Sequence, residues 1–131
     1  MTTPENPVHS DPDHVVELSG TRALVLSADG PRLAAEVDVT DLIGQAFGDQ
    51  ADLVVIPAER LADEFFTLRT GFAGTVVQKF VNYRIRLVVL GDIDGHVERS
   101  TALRDFVTES NRGRQLWFLP SLAELEARLA G

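Results

Sequence analysis

Three groups of side chains in this chain could do chemistry. Asp92, Asp94 and His96 lie close together and bring two carboxylates and an imidazole. Such a set could bind a divalent cation or run acid–base chemistry. The Asp-x-Asp-Gly string is not a calcium loop, because its Gly comes too early and the remaining ligand spacing is absent. Asp and Gly are also ordinary turn residues, so a solvated loop is the competing account. The second group is Arg69, Arg84, Arg86, Arg112 and Arg114, with Asn111 beside them. Guanidinium forks suit carboxylate or phosphate ligands. In an acid-rich chain they could equally pair with Glu59, Asp63, Glu64 or Asp105. The third is Thr70-Gly71, where a hydroxyl could cap a helix or carry a modification.

Composition removes several classes. The 131 residues hold 20 acidic against 12 basic side chains, a formal charge of −8, with no cysteine. A phosphate backbone would be repelled, so nucleic acid is not an expected partner. No apolar run reaches the roughly 18 residues needed to span a bilayer, and no secretory signal opens the chain. Without cysteine there is neither a disulfide framework nor a thiolate metal site, and a cytoplasmic address is the simplest expectation. Gly-x-Gly-x-x-Gly, Walker-type and nucleophile-elbow signatures are absent.

The elements that must position these residues centre on 53–91. Leu53-Val54-Val55-Ile56 and Leu87-Val88-Val89-Leu90 are short, β-branched-rich runs that read as strands buried on both faces. Between them Phe72, Val76 and Phe80 fall four apart beside Ala73, Val77 and Val81, one broad face of a helix over 70–83. Strand, crossover helix and strand make a parallel βαβ unit. Residues 14–18 and 22–27 read as earlier strands, and 38–47 as a helix capped by Asp38 or Thr40 and ended by Gly48. Leu42, Ile43, Ala46 and Phe47 would form its apolar stripe. Residues 31–37 show no clear period. The segment 58–68 reads as a short helical turn, 92–96 as a loop, and 98–111 as a helix closed by a positive-φ Gly113. Gln115-Leu116-Trp117-Phe118-Leu119 is a strand, and Ser121-Leu122-Ala123-Glu124 is a capping box opening the last helix. Residues 1–13 read as a disordered leader ahead of one domain over 14–131.

The closing strand-Ser-x-x-Glu-helix and the order of elements resemble the STAS domain of bacterial anti-sigma-factor antagonists. The chain over 53–129 more closely resembles a bacterial domain-of-unknown-function family, DUF 4180. The strings carrying that likeness are Asp52 to Pro57, Phe66 to Gly71, Gln78 to Arg84, Ala102 to Val107 and Glu109 to Gln115. The closer resemblance implies no assigned activity. The wider one implies an open mixed sheet with a central parallel βαβ unit and helices packed on it. It also places Thr70 where STAS antagonists carry their phosphorylated serine. Leu68-Arg69 replaces the Asp-Ser of that motif, and the loop from Pro57 to Arg69 is longer.

The expected function is a non-catalytic regulatory module without metal or cofactor. It would dock a protein partner or a second copy through Phe65, Phe66, Arg69, Thr70 and Gly71. Phe65 and Phe66 either cover the sheet or present an apolar surface to a partner. Adjacent on a helix, they point about 100° apart and are not expected to reach the same core, and one of them exposed would mark self-association. The alternative is a small-molecule sensor or enzyme whose pocket, at the carboxyl edge of the strands, is lined by Asp92, Asp94, His96, Asn111 and Arg112.

Overall fold

A computed structural model describes residues 13–131 and shows an α/β domain built on one five-stranded sheet. The strands are β1 (His14–Leu18), β2 (Thr21–Val25), β3 (Leu53–Pro57), β4 (Arg86–Leu90) and β5 (Leu116–Leu119), lying side by side in chain order. β1 and β2 form an antiparallel hairpin, while β2 to β5 are parallel. The helices are α1 (Glu36–Gly48), α2 (Asp63–Phe66), α3 (Phe72–Asn82), α4 (Asp94–Glu98), α5 (Thr101–Arg112) and α6 (Leu122–Ala130). Leu53 pairs with Arg86 and Pro57 with Leu90, so the two apolar runs do run side by side in one direction, joined through α3.

The period-2 alternation of β3 explains its composition. Val54 and Ile56 face one core with Leu24, Leu87, Val89 and Phe118; Leu53 and Val55 face a second with Ala23, Val88 and Trp117. α1, α2, α3 and α5 supply the first core, whereas α6 supplies the second through Leu125 and Leu129. Parallel crossovers of one hand that always step in one direction put their helices on one face, and β2 to β5 do so. The order never reverses along the parallel strands, so this sheet lacks the switch-point crevice where open α/β sheets ordinarily hold ligands. Any cleft must come from the connections.

Local chemistry sets several boundaries differently from the expectation. α1 starts at Glu36 after Ala35, because the Asp38 carboxylate reaches back to the amides of Ala34 and Ala35 (2.9 Å each). Asp38 therefore caps from inside the first turn, and Thr40 Oγ1 instead donates to the Glu36 carbonyl. The helix runs through Gly48, and Gln50 takes the left-handed turn beyond it. The unassigned stretch 31–37 makes a parallel bridge from Leu33 to Leu61 before joining α1. Residues 92–96 are not all loop: α4 begins at Asp94, and α5 begins at Thr101 on a Ser100 cap, whose Oγ accepts from the Leu103 amide. Gly113 is extended (φ −93°) rather than left-handed. Phe47 and Val81, assigned to buried stripes, are exposed; Phe47 packs edge-on against an exposed Tyr83. Residues 1–12 of the expected leader lie outside the described residues. Asp13 belongs to the fold, since it accepts from the Ser27 amide and pairs with Arg60.

Candidate functional site

The connections after β3 and β4 build a cleft of about 430 Å³ at the carboxyl edge of the sheet, lined among others by Asp63, Phe66, Arg69, His96 and Arg99. That volume lies within the usual range for small-ligand pockets. The long β3–α3 connection forms one wall. It folds as two 3-10 turns, Ala58–Arg60 and Leu68–Thr70, on either side of α2. Its root is fastened by Arg60, a buried guanidinium that donates to the carbonyls of Pro31 (2.6 Å) and Ser27 (2.7 Å). A Cβ on Gly30 would stand 2.4 Å from the guanidinium carbon, so any other residue at this turn would force the Arg60 guanidinium off its carbonyl partners.

Phe65 and Phe66 are both buried, at 0% and 5% exposure, and pack edge to face. The expectation that one would be presented to a partner is overturned. α2 is a single turn wedged under α3, so Phe65 reaches the main core against Phe118, while Phe66 is covered from outside by His96. The His96 ring stacks on Phe66 with centroids 4.1 Å apart and planes 11° apart. Arg99, one turn further on, points a guanidinium nitrogen at His96 Nδ1 across 3.5 Å. Arginine only donates, so in this contact Nδ1 is the accepting nitrogen.

Arg69 is exposed on the rim and makes no hydrogen bond or ion pair with its side chain among the described residues. Thr70 is exposed, and its hydroxyl is engaged: Oγ1 is 2.8 Å from the carbonyls of Glu64 and Thr67 and accepts from the Phe72 amide at 3.2 Å. Gly71 follows with φ +80°, a conformation that side chains rarely adopt, and begins α3. Thr70-Gly71 is thus the joint that turns the β3–α3 connection into the helix. The two hydroxyls that line the cleft itself also serve the backbone, Thr67 Oγ1 on the Asp63 carbonyl and Ser100 Oγ at the start of α5. The described cleft residues therefore contain no nucleophile hydrogen-bonded to His96.

The remaining predicted residues do not gather here. Asp92 Oδ1 accepts from the Asp94 amide (2.9 Å) and closes the turn into α4. Both carboxylates border a separate hollow, of about 480 Å³, against Val107, Phe118 and Leu119. Among the described residues no three His, Asp or Glu side chains assemble into a metal set. Asn111 stitches α5 to β5, donating to the Phe118 carbonyl (3.2 Å) and accepting from its amide (2.7 Å). Arg112 pairs with Glu109 at 2.8 Å on the exposed end of α5. Both stand away from the cleft because α5 carries the chain back to the start of β5. Asp63, Thr67, Arg99 and Ser100 were missed as cleft residues. The three-residue spacing of His96 and Arg99 is the signal that would have found one of them, once 94–98 is read as helix.

Residues 18–129 match the model of the family described as Domain of unknown function (DUF4180). The chain belongs to that family. No curated protein and no solved structure matches it. The match spans β2 to β5 and nearly all of α6, so every wall of the cleft lies within the family's shared region. Among the described residues no helix is long and apolar enough to cross a membrane.

Proposed function

We propose that this DUF4180 domain is a non-catalytic sensing module that takes a small organic anion, a carboxylate or phosphate ester, in the cleft between the β3–α3 and β4–α5 connections. The observation that carries the reading is the pairing of two guanidiniums with an open void. Among the described residues the Arg69 side chain has no hydrogen-bond or ion-pair partner and that of Arg99 has only His96, and both line the same 430 Å³. Charged hydrogen bonds in such a recess are stronger than in open water, and the stacked His96–Phe66 wall offers a flat face for the ligand's carbon skeleton. Asp63, which also lines the cleft, would select against a ligand with negative charge at both ends.

The test is a thermal-shift and calorimetric screen of small carboxylates and phosphate esters on wild type and on Arg69→Ala/Arg99→Ala. A ligand at a hundred times its dissociation constant adds about 2.7 kcal/mol of stability, easily read as a shift in Tm. Shifts present in wild type and lost in the double variant are expected; no shift across the panel would sink the reading.

A STAS-like docking role uses the same rim. The exposure of Arg69, Thr70 and Gly71 favours it, with a partner's carboxylate entering where the small anion would. Phosphorylation of Thr70 would remove a hydroxyl that now ties down the β3–α3 connection, so modification would loosen the rim as well as charge it. Unchanged solution mass and partner set for Thr70→Glu would remove Thr70 from this second reading.

A further inference from the structure

The opposite, amino edge of the sheet concentrates positive charge that forms no ion pair among the described residues. Arg86 opens β4, Arg114 lies two residues before β5, and Arg128 lies in the last turn of α6. The guanidiniums of Arg86 and Arg128 lie over the ring of Trp117, 4.5 and 4.4 Å from its centroid. Backbone carbonyls hold them there: Arg86 Nε donates to Arg114 O (2.6 Å), and Arg128 Nη2 donates to Asn111 O. The ring is fixed in turn, buried and donating from Nε1 to the Gly113 carbonyl (2.8 Å). None of the three ion pairs among the described residues includes these arginines.

We infer that Arg86, Arg114 and Arg128 form an anion site over Trp117 whose ligand is a phosphoryl group carrying two negative charges. Stacking uses the flat face of a guanidinium and leaves the N–H groups along its edge free to donate. Each of the two stacked arginines has given one donor to the backbone. Arg86 Nη2 is buried with no partner, an unmet charged donor of a kind that folded interiors seldom keep. Arg114 is exposed, with no side-chain bond among the described residues, and is where an arriving ligand would first be met. Two cations held in place by Trp117 and the backbone, with a third beside them, favour a dianion over a single carboxylate, and phosphoryl oxygens fit guanidinium forks. The Arg86 guanidinium is also held below its ordinary pKa, by burial first and then by Arg114 and Arg128, which is the strain a bound dianion would relieve. The site stands apart from the carboxyl-edge cleft and does not depend on it.

Trp117 is the chain's only tryptophan, so intrinsic fluorescence reads this site directly. The full chain would be titrated with inorganic phosphate and with glycerol 3-phosphate, against sodium chloride at matched ionic strength. A saturable change in emission with either phosphate and none with chloride is expected. Tighter binding of glycerol 3-phosphate would identify a phosphate ester as the ligand, and equal or weaker binding would identify free phosphate. Removing one guanidinium should weaken binding roughly tenfold, as expected for a lost charged hydrogen bond. Arg114→Gln carries that test, because its side chain holds nothing in the fold, and Arg86→Gln repeats it at the buried donor. Arg69→Ala must leave the titration unchanged. No saturable response in wild type, or full response in Arg114→Gln, would overturn the site.

Discussion

The two edges of this sheet employ the same residue type in opposite ways. At the carboxyl edge Arg69 and Arg99 line a void, with one long contact to His96 between them. At the amino edge Arg86 and Arg128 close over a buried indole and are tied to backbone carbonyls. A guanidinium at the first edge contributes little to folding and is available to a ligand. At the second its flat face stabilises the fold, and only its rim is left over. Connections produce the contrast. The carboxyl-edge loops are long and carry α2 and α4 as single turns, so they leave space. The amino edge has α6 packed against β5, and the chain doubles back tightly at Asn111 to Gln115.

Trp117→Ala tests the amino edge most severely. Removing a buried Trp costs about 3–5 kcal/mol, and chemical denaturation should show a loss of that size. Only a small loss would mean the indole is not the platform of that edge. Arg128→Ala takes away one stacked cation and its carbonyl bond, for an expected loss of about 1–2 kcal/mol. Thr70→Val, at the carboxyl edge, removes the hydroxyl that joins the β3–α3 connection to α3 and should cost about 1 kcal/mol, while Thr70→Ser stays close to wild type. Arg69→Ala should change stability by less than about 0.5 kcal/mol while removing ligand response at the cleft. Equal destabilisation by Arg69→Ala and Arg128→Ala would erase the distinction between the edges.

The smallest expected effect concerns Asp38, which belongs to neither edge. The amides of Ala34, then Ala35, hold its carboxyl below the ordinary value of 3.8. The folded pKa is thus the lower one, so the stabilisation is complete above that ordinary value and disappears as pH falls through the folded value. The difference in unfolding midpoint between wild type and Asp38→Ala should therefore shrink from neutral to strongly acid pH. A gap that stays constant with pH would show that charge plays no part in this cap.

Much of the fold was legible in one dimension. Two apolar runs rich in Val and Leu had to be strands covered on both sides, and an amphipathic segment of eleven or more residues between them had to be the crossover. The hairpin before them and the capped helix after β5 followed from turn and cap residues. The site was legible at Phe66, Arg69 and His96, with Thr70 at the joint beside it. Asn111 and Arg112 were grouped with His96 as the lining of one carboxyl-edge pocket, yet Asn111 is consumed by Phe118 and Arg112 by Glu109. Phe65 and Phe66 show the limit most plainly. A 100° step between neighbours forbids a shared core on a helix packed on one side, but α2 is one turn with the core beneath it and His96 above it.

By itself, then, the sequence determined the α/β class, the parallel central pair, the strand order's raw material and the family, because these rest on periodicity and on local steric rules. It could not decide which arginines are used up and which stay open. That depends on carbonyls and rings far away in the chain, such as Ser27 for Arg60 or Trp117 for Arg128. Short-range pattern decides what a segment becomes; only the packed structure decides what is left over to bind.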